Sequence, residues 1–361
     1  MTNRSVWQAL RNKLPARAGS LLGVDIGTGS VKIVEIKKTA GKAMVNNIAI
    51  ADFDAAVFED GRLIKPEELT AILQRQIAAS GFNSRQAVAA IGGRSMFIRQ
   101  ITVPPMTETE LKEAVKWEAV QYLPYAPDQC YYDFAILDSS GNEAGLKVLL
   151  AAAPRETIDI LTDVLTACDL QPVAIDGEAF ALYRTLSKAE NSLFLDMGRH
   201  LSQIILYQQG IPAATRLSRV SGERFTEVIM RMLKLDIREA EQLKKQQENL
   251  LAPVHPVGKY SEIQKQMLLL IQELIGELRQ TVEIYQSRNK ALVIDKIIVG
   301  GGGANLSHFI EQLRVLPNVP VVLHTALAAI EYAPVFDAGT IRATASRLAV
   351  AAGLALRGAD G

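Results

Sequence analysis

Twice in this chain an apolar strand runs into Asp-x-Gly, turns through small and polar residues, and resumes as an apolar strand. The first copy is "LLGVDIGTGSVKIVEI" at 21–36, where Asp25 closes the opening strand. The second is "SLFLDMGRHLSQIILY" at 192–207, where Asp196 stands in the same place and the turn is one residue longer. Matching context on both sides of the Asp-x-Gly points to an internal repeat, and hence to two related halves. The length agrees: 361 residues exceed one ordinary core and imply two or three domains.

The residues after the first copy extend the pattern. "VNNIAIADF" reads as a third antiparallel strand. "KPEELTAILQRQIAAS" reads as a helix with Leu69, Ile72, Leu73 and Ile77 on one face and Gly81 as its stop. "AVAAIGG" then forms a short buried strand, giving the order β-β-β-α-β. From Ser95 to about Leu170 the rhythm changes. "SMFIRQITVPP" is a strand ended by two prolines, and Thr107-Glu-Thr-Glu110 is a capping box opening the helix "ELKEAVKWEAVQYL". The strands "YYDFAIL" and "LKVLLAAAP" and the helix "RETIDILTDVLTACDL" complete what reads as a small inserted α+β module. Beyond the second copy, residues 222–290 are helix-rich and charged, with Leu268, Ile271, Leu274, Ile275, Leu278 and Val282 as the packing stripe of a long helix. "IDKIIVGGGGANLSHFIEQL" is a strand, a four-glycine run and a helix, and "RLAVAAGLALRG" is one more helix.

Lys+Arg and Asp+Glu both number 39, so the whole-molecule field that draws a protein onto nucleic acid is missing. Cys130 and Cys168 form no CxxC pair and no ligand cluster, and they read as buried thiols of a reducing compartment. With neither a secretory signal nor an apolar run long enough to span a bilayer, a cytoplasmic protein is expected. Residues 1–20 stand apart: Val6, Trp7, Leu10 and Leu14 recur at helical spacing among Arg4, Arg11, Lys13 and Arg17. This basic tail is either a frayed or packed short helix, or a segment that touches anionic lipid.

The glycine turns carry the chemistry. Backbone N–H groups at Gly27 and Gly29 can approach phosphate oxygens, Thr28 and Ser30 add hydroxyl donors, and Lys32 lies within reach of a terminal phosphate. Asp25 would repel phosphate. Its plausible work is to hold a hydrated Mg²⁺ together with Asp196, because Mg²⁺ keeps several waters and takes one or two carboxylates. The run Gly300–Gly303 suits the flat face and sugar-phosphate edge of a nucleotide. The loops fit neither the GxxxxGK[ST] phosphate loop nor the GxGxxG dinucleotide fingerprint.

Three such loops in this order resemble the actin, Hsp70 and sugar-kinase superfamily: "GVDIGTGSVK" and "LFLDMGRHLSQIIL" as phosphate loops, "IIVGGGGANL" as adenosine loop. The resemblance implies an α/β, actin-like two-domain ATPase fold of duplicated RNase H-like domains, with an FtsA-type inserted α+β subdomain. "ITVPPMTETELKEAVKWEAVQYLPYAPDQCYYDFAIL" and "AIDGEAFALYR" resemble, more narrowly, the PilM family of type IV pilus assembly proteins, over about Leu21 to Leu356. The implied organisation is a basic tail at 1–20, a first actin-like subdomain at 21–95 plus 171–190, and the insert at 96–170. A second actin-like subdomain takes 191–222 plus 295–361, and a helical nucleotide-side subdomain takes 223–294.

Carried onto this sequence, the resemblance implies ATP with Mg²⁺ as cofactors. It places phosphate contacts on Gly27, Thr28, Gly29, Ser30 and Lys32 and on Gly198 to Ser202, including Arg199, and sets Asp25 and Asp196 on the metal side. Gly222 falls beside the nucleotide's sugar, Glu241 and Lys244 line the nucleoside pocket, and Gly301, Gly302, Gly303 and Asn305 belong to the adenosine loop. The implied partner is the N-terminal cytoplasmic segment of a PilN-like bitopic membrane protein, held near "AIGGRSMFIRQI", with other pilus motor or platform proteins as further partners. Such a protein sits at the inner-membrane face through its partners. No residue stands out as positioning an attacking water, so hydrolysis is expected to be slow or absent and no catalytic residue is assigned. Two other classes stay open. An FtsA-like filament would end in an amphipathic anchor, whereas this chain ends "LALRGADG". A sugar-kinase-type phosphotransferase needs a general-base Asp, for which Asp176 in "AIDGEAF" is the candidate.

Overall fold

The computed structural model describes residues 20–358, apart from 40–41, 54–56, 60, 108, 112, 115–122, 139–144, 187–190, 248, 253–258, 289, 291, 315–318, 328–329, 335, 338, 340 and 342–343. The basic segment with Trp7, and most of the helix expected after Glu110, lie outside the described residues. The chain divides into two compact units, one of Met1–Leu186, Ala329–Phe336 and Val350–Gly361, the other of Ser187–Ala328 and Asp337–Ala349.

In the first unit β1 (Ser20–Ile26), β2 (Ser30–Thr39) and β3 (Lys42–Asp52) form an antiparallel meander. Two short strands, β4 (Phe58–Glu59) and β5 (Arg62–Leu63), make a small hairpin before α1 (Pro66–Ser80). α1 starts at a proline, ends on Gly81 in the left-handed conformation, and buries Leu69, Leu73 and Ile77. β6 (Gln86–Ile91) then joins β1 in parallel.

β7 (Phe97–Val103), β8 (Cys130–Asp138) and β9 (Leu146–Pro154) form a separate antiparallel sheet of order β7-β9-β8. Its core holds Ile101, Val103, Leu111, Leu123, Cys130, Val148 and Leu150. The capping box stands as expected, with the Thr107 amide donating to Glu110 Oε2 at 2.7 Å and the Glu110 amide to Thr107 Oγ1 at 3.3 Å. The next helix, α2 (Arg155–Ala167), departs from the expected 96–170 module. Its stripe Leu161, Val164 and Leu165 packs into the first sheet's core with Leu69, Leu73 and Ile77 of α1. Periodicity showed that face to be apolar without saying which sheet it would meet.

β10 (Gln171–Gly177) pairs in parallel with β6 and leads into α3 (Glu178–Arg184). Glu35 is fully buried on β2 and accepts from Ser20 Oγ, Asn46 Nδ2 and the amides of Asn83 and Ser84, which pins β1, β3 and the turn before β6 together.

The second unit repeats the scheme. β11 (Ser192–Met197), β12 (Ser202–Gln208) and β13 (Ile211–Ser218) form the meander, and α4 (Gly222–Leu233), α5 (Ile237–Gln246) and α6 (Lys259–Arg288) follow. β14 (Lys296–Gly300), α7 (Phe309–Leu313) and β15 (Val321–Leu323) complete it, both strands running parallel to β11. The two sheets share one order, β3-β2-β1-β6-β10 and β13-β12-β11-β14-β15, and β16 (Glu331–Tyr332) is added at the β3 edge of the first. Among the described residues, the helices of 223–294 share the core of the second sheet. Val228, Ile263, Ile271, Leu274 and Leu278 share one cluster with Leu193, Leu195, Ile204 and Val299 of the sheet.

The last helix, α8 (Ala349–Ala355), belongs with the first unit from Val350 onward, whereas 295–361 reads in sequence as continuous with the second. The cause is close backbone packing. A Cβ on Gly23 of β1 would stand 1.9 Å from the Ala351 carbonyl oxygen, and one on Gly353 would stand 1.8 Å from that of Ala181. Behind this contact Asp176 Oδ2 pairs with Arg184 and Arg357, each at 2.8 Å. Among the described residues no helix is long and apolar enough to cross a membrane.

Candidate functional site

In the first unit the register of β1 on β2 sets Asp25 opposite Lys32, and Lys32 Nζ lies 3.0 Å from Asp25 Oδ2. Both side chains are largely buried, so each neutralises the other where solvent screens little. The hairpin between them is closed by the Gly27 amide donating to the Ser30 carbonyl at 3.0 Å. A Cβ on Gly27 would come within 2.9 Å of Lys32 Nζ, so glycine lets the ammonium lie against the turn. Thr28, Gly29 and Ser30 are partly exposed at its tip.

The second unit brings the other expected residues together. Asp196, next to last in β11, stands opposite Gln203, so the place held by Lys32 in the first half carries a neutral amide in the second. Asp196 is also level with Gly300 of β14, and a Cβ on Gly301 would stand 2.4 Å from Asp196 Oδ1. Gly301 has φ 81°, and its amide donates to the Ser346 carbonyl at 2.9 Å. Gly303 approaches Met197 in the same way, whereas Gly302 faces open space. Asn305 is exposed and accepts from Ser346 Oγ at 2.9 Å. The second and third glycine loops are therefore in contact around Asp196 and Met197.

The longer second turn docks on the start of α4. The Gly222 amide donates to the Gly198 carbonyl and the Glu223 amide to the Arg199 carbonyl, both at 2.9 Å. Within this turn His200 sets its Nε2 3.3 Å from Glu223 Oε1. Ser202 does not face this turn. It is fully buried, and its hydroxyl donates to the Val220 carbonyl at 2.6 Å, so it holds the scaffold and offers nothing to a phosphate.

Gly222, Glu241 and Lys244 form one cluster. Lys244 Nζ donates to the Gly222 carbonyl at 2.8 Å and to Thr226 Oγ1 at 2.7 Å, and lies 2.6 Å from Glu241 Oε2. Burial pulls the Lys244 ammonium below the usual lysine value, with Lys245 and Arg199 adding to the effect and Glu241 opposing it. Burial disfavours the Glu241 carboxylate too, but Lys244, the Thr226 hydroxyl and Lys245 outweigh it and hold Glu241 below its ordinary range. Thr226 is the residue that sequence reasoning missed. Its only signal was a threonine four residues after Gly222, beside the Glu241-x-x-Lys244 spacing.

Asp176 shows why the general-base role fails. It is buried, and burial opposes its charge, yet Arg184 and Arg357 together hold its carboxyl below the usual carboxylate range. A carboxylate held ionised by two guanidinium groups is a weak base, poorly matched to taking a proton from a substrate hydroxyl near neutral pH. The thiols behave as expected: both are buried, and burial pushes Cys168 up to about 11.

Asp25 and Asp196 offer hard carboxylate oxygens at strand ends, the donor type Mg²⁺ takes. Among the described residues no group of three His, Cys, Asp or Glu could enclose an ion. Each carboxylate by itself is of the kind that suits a cation keeping most of its own waters.

Two sheets of one strand order, each with an Asp-ended strand feeding a glycine hairpin, define an actin-like ATPase fold. The family model of Type IV pilus assembly protein PilM matches residues 23–359, and the chain belongs to that family. A solved structure titled "PilM-PilN type IV pilus biogenesis complex" is 27% identical, with TM-score 0.82, covering 96% of this chain and 100% of that one. Ethanolamine utilization protein EutJ from Carboxydothermus hydrogenoformans shares the fold at 17% identity and TM-score 0.58, over 96% of this chain and 91% of that one. MreB 5 of Spiroplasma citri, bound to AMPPNP, shares it at 13% identity and TM-score 0.54, over 93% and 95%.

Proposed function

We propose that this protein is an ATP-binding adaptor of the type IV pilus inner-membrane platform, holding the N-terminal cytoplasmic segment of a PilN-like membrane protein. The observation that carries the reading is the 27% identical match, over 96% of this chain, to a chain solved as a PilM–PilN complex. Such an adaptor works at the cytoplasmic face of the inner membrane through its partner. In this reading the segment from Ala90 to Ile101 supplies the seat. Met96 packs against the first core and Phe97 against that of the inserted sheet, while both, with Ile98, stay partly exposed at the junction. A disordered segment that orders on binding depends on a few apolar anchors. Ile98→Asp should therefore weaken capture of the partner's cytoplasmic peptide at least tenfold in a binding titration. Capture that is unchanged would exclude this seat.

Nucleotide binding is supported by the close approach of Gly301 to Asp196 and of Gly222 to the second turn. Gly27, Thr28, Gly29, Ser30 and Lys32 would hold phosphate oxygens, with Gly198 and Arg199 on the second turn. Glu241, Lys244, Gly222 and the Gly301–Asn305 loop would hold the nucleoside. Asp25 and Asp196 would hold the waters of Mg²⁺, which supplies charge neutralisation on the phosphates when bound. With Asp176 held by Arg184 and Arg357, the nucleotide in this reading serves as a structural element or slow switch. Linkage gives about 4 kcal/mol of stabilisation when ligand exceeds its dissociation constant a thousandfold. Millimolar Mg-ATP should raise the melting temperature of nucleotide-free protein by several degrees, and Lys32→Ala and Asp196→Ala should each reduce that rise. Absence of any shift in the wild type would refute nucleotide binding.

A further inference from the structure

An ammonium carries three N–H donors, and those of Lys244 are all engaged within the second unit: by the Gly222 carbonyl, by Thr226 Oγ1 and by Glu241 Oε2. Nothing is left over for a phosphate. What the side chain contributes is therefore position. Thr226, 1% exposed, sits between the two charges. Its oxygen accepts from Lys244 at 2.7 Å, and its single proton has two acceptors in reach, Glu241 Oε2 at 2.6 Å and the Gly222 carbonyl at 3.1 Å. The carboxylate is the closer of the two, and a charge-assisted bond is the stronger. One hydroxyl thus joins cation and anion, and Lys244 ties both to the first turn of α4 through the Gly222 carbonyl. Glu241 keeps its second oxygen, Oε1, on a side chain still 36% exposed, with Lys245 at 3.5 Å.

We propose that Thr226 is a positioning residue that locks Gly222, Lys244 and Glu241 into one rigid wall, setting affinity for the nucleoside part of the ligand without touching it. The proposal rests on the nucleotide reading above. Without the hydroxyl, Lys244, largely desolvated, loses one of three acceptors and the half-buried Glu241 loses a donor. The pair must then be re-ordered when ligand arrives, and that ordering is subtracted from binding.

Calorimetric titration of the full chain with Mg-ATP, and separately with inorganic tripolyphosphate, tests this on Thr226→Val, Thr226→Ala and Thr226→Ser. Thr226→Val and Thr226→Ala should each weaken Mg-ATP binding about tenfold. Thr226→Ser, which restores the hydroxyl, should stay within about twofold of wild type, and tripolyphosphate affinity should be the same in all four proteins. Undiminished Mg-ATP affinity in Thr226→Val and Thr226→Ala would overturn the proposal. So would a Thr226→Ser protein as weak as Thr226→Val, since the hydroxyl would then be irrelevant. An equal loss for tripolyphosphate would overturn it as well, because the damage would be to the fold and not to the nucleoside wall. A wild-type chain that binds tripolyphosphate but gains nothing from the nucleoside refutes the nucleotide reading itself, a result distinct from any variant effect.

Discussion

Replacing Asp176 by Asn is expected to destabilise the first unit by roughly 3–5 kcal/mol, the usual cost of removing one partner from a buried ion pair. Two guanidinium groups pair with this one carboxylate, at 2.8 Å each, and the Arg184 and Arg357 side chains are only 8% and 12% exposed. Asn is isosteric, so the loss is one of charge and not of volume. The same cluster fixes the sign of a pH dependence. Asp176 has its folded pKa lowered, because the two arginines outweigh the burial that opposes ionisation. Its stabilisation is therefore fully present above the unfolded value of about 3.9 and is lost as pH falls through the folded value. Melting temperatures measured from neutral pH downward should fall steeply below about pH 4 in the wild type. In Asp176→Asn the curve should start lower and fall less. Parallel curves would show that the cluster carries no net stabilising charge.

Gly353→Val should be more damaging still. The added Cβ would stand 1.8 Å from the Ala181 carbonyl oxygen and 2.4 Å from its carbon, both backbone atoms that cannot rotate away. Either α8 or α3 must move, and both carry core residues. A loss above about 4 kcal/mol is expected, large enough to remove folded protein. The matching control is Gly276→Ala in the middle of α6, where a Cβ would meet nothing within 4 Å. That substitution should stabilise by about 0.5–1 kcal/mol through helix propensity alone. Urea denaturation of the two variants gives opposite signs if contact distance governs the outcome. Equal effects would mean that glycine content, and not close approach, matters at these positions.

What was legible in the sequence is what rests on neighbours along the chain. The α1 face, its proline start and Gly81 stop, the Thr107–Glu110 box and the paired Asp-x-Gly hairpins all depend on spacings of a few residues. The allegiance of α2 to the first core and of α8 to the first unit depends on partners far away in sequence, and an apolar stripe does not encode its partner. The site divides in the same way. Asp25, Lys32, Asp196 and the glycine runs announce themselves because few residue types tolerate those turns. Ser202 looked like a further donor because it follows the turn, but strand alternation points it inward to Val220. Thr226 was hidden because a threonine inside an amphipathic helix looks ordinary until the lysine eighteen residues later folds onto it.

The return of Val350–Gly361 to the first unit has a consequence for how the protein is made. The ribosome delivers 20–186 first, yet this half cannot seat its final helix against Gly23 and Ala181, nor neutralise Asp176 fully, until Arg357 has emerged. Synthesis of the residues between 186 and 357 occupies roughly 10–30 seconds at bacterial-like elongation rates. Throughout that interval the half built first waits with part of its core uncovered, while the half built second already has every strand of its own sheet once residue 323 is made. The unit begun first is therefore the one finished last, and it is the nascent first unit that most needs shielding by a chaperone.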